Sequence, residues 1–122
     1  MEMKGENSNP IIYWPEISSQ ISAVAAYGHT PGHTVYLLES VGKKLLIIGD
    51  LLHVAPVQFH VPSINATYDM DASSSASIRR QILSYAAQNK IPVGAIHVAY
   101  PGIVTLEAEN MENGFDYTPV CN

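Results

Sequence analysis

The sequence has almost no cysteine to build with and little charge. Its single Cys121 can form no internal disulfide and has no second thiol near it in sequence, so neither a disulfide framework nor a thiolate metal site organises the chain. The redox compartment therefore stays open. Charged residues make up only 14% of the 122 positions against 47% hydrophobic ones, the balance of a soluble globular chain with several buried strands. Basic residues are scarcer than acidic ones, six against eleven, and the formal net charge of -5 argues against binding a phosphate backbone. No apolar stretch in the first twenty residues has signal-peptide length, and none later reaches the length of a membrane span. The chain is thus expected to be soluble and unprocessed, with neither nucleic acid nor membrane as a partner. Internal repeats and low-complexity tracts are also missing. At this length one domain is expected, or a piece of one.

What is present is organised around Tyr27-Gly28-His29-Thr30-Pro31-Gly32-His33-Thr34 and the apolar run that follows it, Val35-Tyr36-Leu37-Leu38. Two imidazoles four residues apart would share a helix face, but Pro31 and Gly32 between them break a helix and place the pair on a turn feeding a strand. Such a loop can present nitrogen ligands to a metal. It can equally be a Gly/Pro turn whose histidines cap neighbouring carbonyls, and the octapeptide by itself leaves both readings open.

Taken in order, residues 1–20 mix Pro10, Pro15, Asn and Ser with Tyr13 and Trp14, which predicts an irregular arm ahead of a domain spanning 21–122. Ile21 to Tyr27 reads as a buried strand stopped by Gly28. Thr34 to Ser40 and Lys44 to Ile48 read as an antiparallel pair joined at Val41-Gly42-Lys43. The second of these runs into Gly49-Asp50, a carboxylate at the mouth of a sheet; alone, such an Asp is more often the cap of the next turn. Val54 to Pro62 reads as a loop with a short extended piece, and His53 and His60 in this region fit surface or structural roles. Asp71 is a predicted N-cap for a helix over about 72–89. In it Ile78, Ile82, Tyr85 and Ala86 form the apolar face, while Arg79, Arg80, Gln81 and Gln88 take the other. Val93 to Ile96 reads as a further buried strand ending at His97, and Ile103 to Glu109 with Phe115 to Val120 as a terminal hairpin turning at Asn113-Gly114. Three apolar strands therefore each end in a potential metal ligand: His29, Asp50 and His97. Sheet proteins place sites at strand ends, and imidazole with carboxylate suits zinc, manganese, iron or cobalt.

Gly28-His29-Thr30-Pro31-Gly32-His33, then Ile48-Gly49-Asp50, then Ile96-His97 followed by Pro101-Gly102 resemble, in the family's order, the last three metal-binding motifs of the metallo-β-lactamase superfamily. The likeness runs from about Ile21 to Val120. The stretch from Gly49 to Phe59, the later Asp71 and Arg79, and Ala99-Tyr100-Pro101-Gly102-Ile103 are most similar to the methyl parathion hydrolase-like branch. The resemblance implies that His29 is a ligand of a first metal, that Asp50 bridges two metals at the catalytic centre, and that His97 is a ligand of the second. It implies for His33 a supporting role, holding the loop or orienting a neighbour, and for Phe59 a place in the substrate pocket. The family's first signature, a His-x-His-x-Asp-His cluster supplying four of seven ligands, does not occur in this sequence.

The fold class expected is therefore α/β (α+β): the C-terminal half of an αββα sandwich, mainly sheet with one long amphipathic helix. The resemblance implies a portion of a metal-dependent hydrolase, with two divalent ions, zinc first among them, and a bridging hydroxide attacking a small-molecule ester, lactone, amide or phosphotriester. The other reading is a catalytically silent fragment or self-associating domain with weak metal binding or none. Without the first signature the chain alone is expected to be inactive. Strands apolar on both faces further imply a homodimer or higher self-association.

Overall fold

Short apolar runs separated by glycine and proline turns fold as neighbours in one mixed sheet. The computed structural model describes residues 20–65, 69–108 and 114–120, and the backbone alone over 2–4 and 10–18. The strands are β1 (Glu2–Lys4), β2 (Pro10–Ser18), β3 (Ile21–Ala25), β4 (Thr34–Ser40), β5 (Lys43–Ile47), β6 (Val93–Gly94), β7 (Ile103–Ala108) and β8 (Phe115–Pro119), lying side by side in chain order. All neighbours are antiparallel except β5 and β6, which run parallel because the chain crosses over between them through the long helix. No helix among the described residues is long and apolar enough to cross a membrane.

Pairing separates two sheet faces. Val24 faces Val35, Leu37 faces Leu46, Leu46 faces Val93 and Val93 faces Val104, and all of these are buried. Helix α2 (Ala72–Gln88) covers this face with Ile82, Leu83 and Ala86. Asp71 caps it as expected, accepting from the Ser74 N–H at 3.0 Å and the Ser74 hydroxyl at 2.9 Å. Hydrogen bonding at the cap holds the Asp71 carboxyl below its usual range.

Several elements differ from the sequence reading. Residues 1–20 are not irregular throughout, since β1 and β2 lie there; tolerated at the start of a strand, Pro10 opens β2, and a pairing irregularity interrupts its match to β3 around Glu16. The expected loop from Val54 contains the short helix α1 (Ala55–Gln58), with Pro56 in its first turn, where no N–H is required. Arg79 does not lie on an outer helix face but is 0% exposed, because backbone carbonyls and a carboxylate receive its N–H groups. The strand before His97 ends at Gly94: Ala95 N–H donates to the Gly102 carbonyl, the chain turns, and Ile96 is exposed. The terminal hairpin is present as β7 and β8, while Asn113 and Cys121 lie outside the described residues.

Candidate metal centre

The loops that carry His29, Asp50 and His97 meet at one end of the sheet. The loop after β3 folds back on itself, Ala26 N–H donating to the His33 carbonyl, and is pinned to the start of α2 by Met70 and Asp71 N–H donating to the carbonyls of His29 and Gly28. Gly28 has φ +155°, and a Cβ there would lie 2.6 Å from the Ser75 backbone, so only glycine allows this approach. Asp50 sits in a 3-10 turn, Gly49–Leu51, directly after β5 and Ile48. Gly49 at φ +54° lets that turn pass close to His33, whose Nε2 would be 3.1 Å from an added Cβ.

His29, Asp50 and His97 come together. His29 Nε2 lies 3.5 Å from Asp50 Oδ2, and His97 Nε2 lies 3.0 Å from Asp50 Oδ1, so each carboxylate oxygen faces a different imidazole. Burial works against ionising Asp50, but the His97 hydrogen bond and the nearby imidazoles of His29 and His53 hold its carboxyl below the usual range. His33 touches the backbone on both sides: its Nδ1–H donates to the Ala26 carbonyl at 3.1 Å, and its Nε2 accepts the Asp50 N–H at 3.0 Å. This locks the 3-10 turn to the histidine loop. Burial lowers the His33 pKa below its ordinary value, with the Ala26 bond opposing it. Phe59 lies in the core, 0% exposed, its ring centroid 4.6 Å from that of Tyr117. His60 lies away from the cluster, 3.9 Å from Asp116.

Two residues to which the sequence reading gave no site role join the cluster. His53 places Nε2 3.9 Å from Asp50 Oδ1 and its ring between those of His29 and His97, at centroid distances of 4.9 and 4.7 Å. The buried Gln58 side chain presents it, accepting from the N–H groups of His53 and Val54 and donating to the Ile64 carbonyl. Burial, then repulsion from His97 and His29, lowers the His53 pKa. The i,i+3 spacing of Asp50 and His53 on a tight turn was the available signal. Asp69, with its side chain 0% exposed, contacts His29 Nδ1 through Oδ1 at 3.2 Å. Nothing local in the sequence marks it.

Donor atoms of Asp50, His53 and His97 lie within 4.8 Å of one another, as do those of His29, His53 and Asp69. Neutral imidazole nitrogens and an exposed carboxylate are a donor set that fits zinc or another divalent metal. Asp69 differs from Asp50 in having a fully buried side chain and a guanidinium on one oxygen, Arg79 on Oδ2 and His29 on Oδ1, where Asp50 has an imidazole on each.

Eleven solved chains are similar to this one. AidC, a dizinc quorum-quenching lactonase in complex with a product, N-hexnoyl-L-homoserine, has a TM-score of 0.81 and 27% identity over 87% of this chain. The hydrolase AbOPH, in the β-lactamase superfamily, has a TM-score of 0.82 and 27% identity over 88%. This is the metallo-β-lactamase fold. A probable metal-dependent hydrolase from Staphylococcus aureus shares the metallo-β-lactamase fold with a TM-score of 0.69 and 22% identity over 88% of this chain. The chain spans 35% to 39% of the length of these three metallo-β-lactamase-fold hydrolases. No family model and no curated protein matches it.

Proposed function

We propose that this chain is a portion of a metal-dependent hydrolase, the C-terminal half of its metallo-β-lactamase domain, from the methyl parathion hydrolase-like branch. The observation that carries the reading is Asp50 with one imidazole on each oxygen, His29 on Oδ2 and His97 on Oδ1, the arrangement a carboxylate needs to bridge two cations. His29 holds the first metal, Asp50 bridges, His97 holds the second, and His33 fixes the Asp50 turn through its backbone. The dizinc lactonase among the structural neighbours supports zinc and a small-molecule substrate; we propose for that substrate an ester, lactone, amide or phosphotriester. When bound, the metal supplies a Lewis acid and a hydroxide nucleophile near neutral pH. Asp50, its carboxyl held below the usual range, would receive the cation as a carboxylate, and His97 would offer it Nε2.

Zinc titration followed by calorimetry tests this reading. The chain binds zinc, Asp50→Ala loses it, and hydrolysis of a generic aryl ester by these residues alone stays at trace level, since part of the dinuclear ligand set is not in this sequence. No zinc binding by the wild-type chain, or zinc binding indifferent to Asp50→Ala, overturns the proposal; robust turnover would overturn the inactive assignment. We also propose that the chain self-associates, supported by the sheet face opposite α2, which carries Ile21, Tyr36, Leu38, Leu45, Ile47 and Ile103 only partly buried or exposed.

A further inference from the structure

Arg79 has more to do than neutralise a charge. Its side chain is 0% exposed, and burial lowers its pKa while Asp69 opposes the shift. Nε–H donates to the Leu51 carbonyl at 2.7 Å, one residue past Asp50. Nη1 donates to the carbonyls of Pro62 and Ile64 at 2.7 and 3.1 Å, and Nη2 donates to Ser75 Oγ at 3.0 Å and Asp69 Oδ2 at 3.3 Å. Asp69 in turn receives His29 Nδ1–H on its other oxygen at 3.2 Å. One guanidinium thus reaches the Asp50 turn directly and the His29 loop through a single carboxylate.

We infer that Arg79 and Asp69 are positioning residues for the metal centre: the pair holds the His29 ring by its Nδ1–H, with Nε2 turned toward Asp50, and fixes the spacing between the His29 loop and the Asp50 turn. This rests on the metal-site reading above for its consequence but not for its geometry. An imidazole in water prefers the opposite tautomer, so a buried acceptor at Nδ1 is what turns the ring into a ligand through Nε2. A carboxylate can accept on both oxygens. An amide accepts on one only, so asparagine at 69 must present an N–H to either His29 or Arg79 and lose one of the two bonds.

The test is Asp69→Asn, near isosteric, with Arg79→Lys beside it. Long-range 1H–15N correlation on the 15N-labelled, metal-free chain reads the His29 tautomer, assigned by comparison with His29→Asn, and zinc calorimetry reads the affinity. Wild type shows His29 protonated at Nδ1. Asp69→Asn shifts it toward the Nε2–H form and weakens zinc binding about 10–100-fold, with the helical circular dichroism signal retained; Arg79→Lys moves both readouts the same way. A folded Asp69→Asn chain with the wild-type tautomer and unchanged zinc affinity overturns the inference. If wild type binds no zinc, the metal-site reading fails, and the tautomer measurement still decides the positioning role.

Discussion

His33 shows how a residue can serve a site without facing it. Only the neutral Nδ1–H form meets both of its contacts, because a proton on Nε2 would set two N–H groups against each other at Asp50. Its folded pKa therefore lies below the ordinary 6.5. Above that ordinary value both folded and unfolded chains hold a neutral ring and the contribution to stability is whole. As pH falls, the unfolded chain takes up the proton first, and stability drops until the lowered folded pKa is reached. His53, shifted in the same direction, adds to the trend. Urea midpoints of the metal-free chain should fall between about pH 8 and about pH 5, and His33→Gln should flatten that fall; an equal slope in both chains would remove His33 from the account. At this scale the ligand candidates were legible, since His29, Asp50 and His97 each follow an apolar run. Asp69 and the burial of Arg79 were not, because what defines them is contact across 40 and 10 residues of chain, and His53 carried only its i,i+3 spacing from Asp50, its approach to His29 and His97 being made by the fold.

Elements followed the sequence wherever one periodicity dominated. Helix α2 and the strands β3, β4, β5, β7 and β8 announce themselves through spacing and through glycine punctuation, whereas α1 is a single turn and too short to show a period. β2 hides because its two prolines suggest loop, although a strand tolerates proline at its start and at irregular pairings. The β4–β5 connection is tighter than the three residues the sequence suggested: Ser40 pairs with Lys43, leaving Val41 and Gly42 as a two-residue loop with φ of +52° and +75°. Positive φ at both positions is the geometry that favours Asn-Gly, yet Val41 is β-branched and 98% exposed, so it bears the backbone cost with no packing in return. Replacing Val41 with Asn should raise stability by about 1 kcal/mol, read as a higher urea midpoint at unchanged slope. A neutral or lower midpoint would mean that the turn conformation carries no such strain.

For the whole molecule the decisive feature is the asymmetry of the sheet. On the helix side the cross-strand ladder Val24, Val35, Leu37, Leu46, Val93 and Val104 is almost inaccessible to water. On the other side Ile21 faces Leu38, Leu38 faces Leu45, and Tyr36 faces Ile47, an equally apolar ladder whose members are half-buried, with Tyr36 39% exposed. Strands covered on one side only normally alternate apolar and polar positions, and these do not. The sequence already showed runs apolar at consecutive positions; which side the helix would take could not be read from it, since both faces offer the same chemistry. Monomers rarely leave contiguous apolar patches of more than a few hundred Å² in water. Burying about 1,000 Å² at about 25 cal/mol per Å² yields on the order of 25 kcal/mol of gross hydrophobic gain, against an association cost of about 4–15 kcal/mol. A two-fold pairing of these faces is the simplest closed arrangement that removes the patch from water. Sedimentation across the micromolar range should then show a species heavier than the 13.3 kDa chain, and Leu38→Lys, placing a charge at the centre of the ladder, should return it to the mass of one chain with its circular dichroism intact. A wild-type chain that stays at 13.3 kDa at every concentration would show that the face does not drive association.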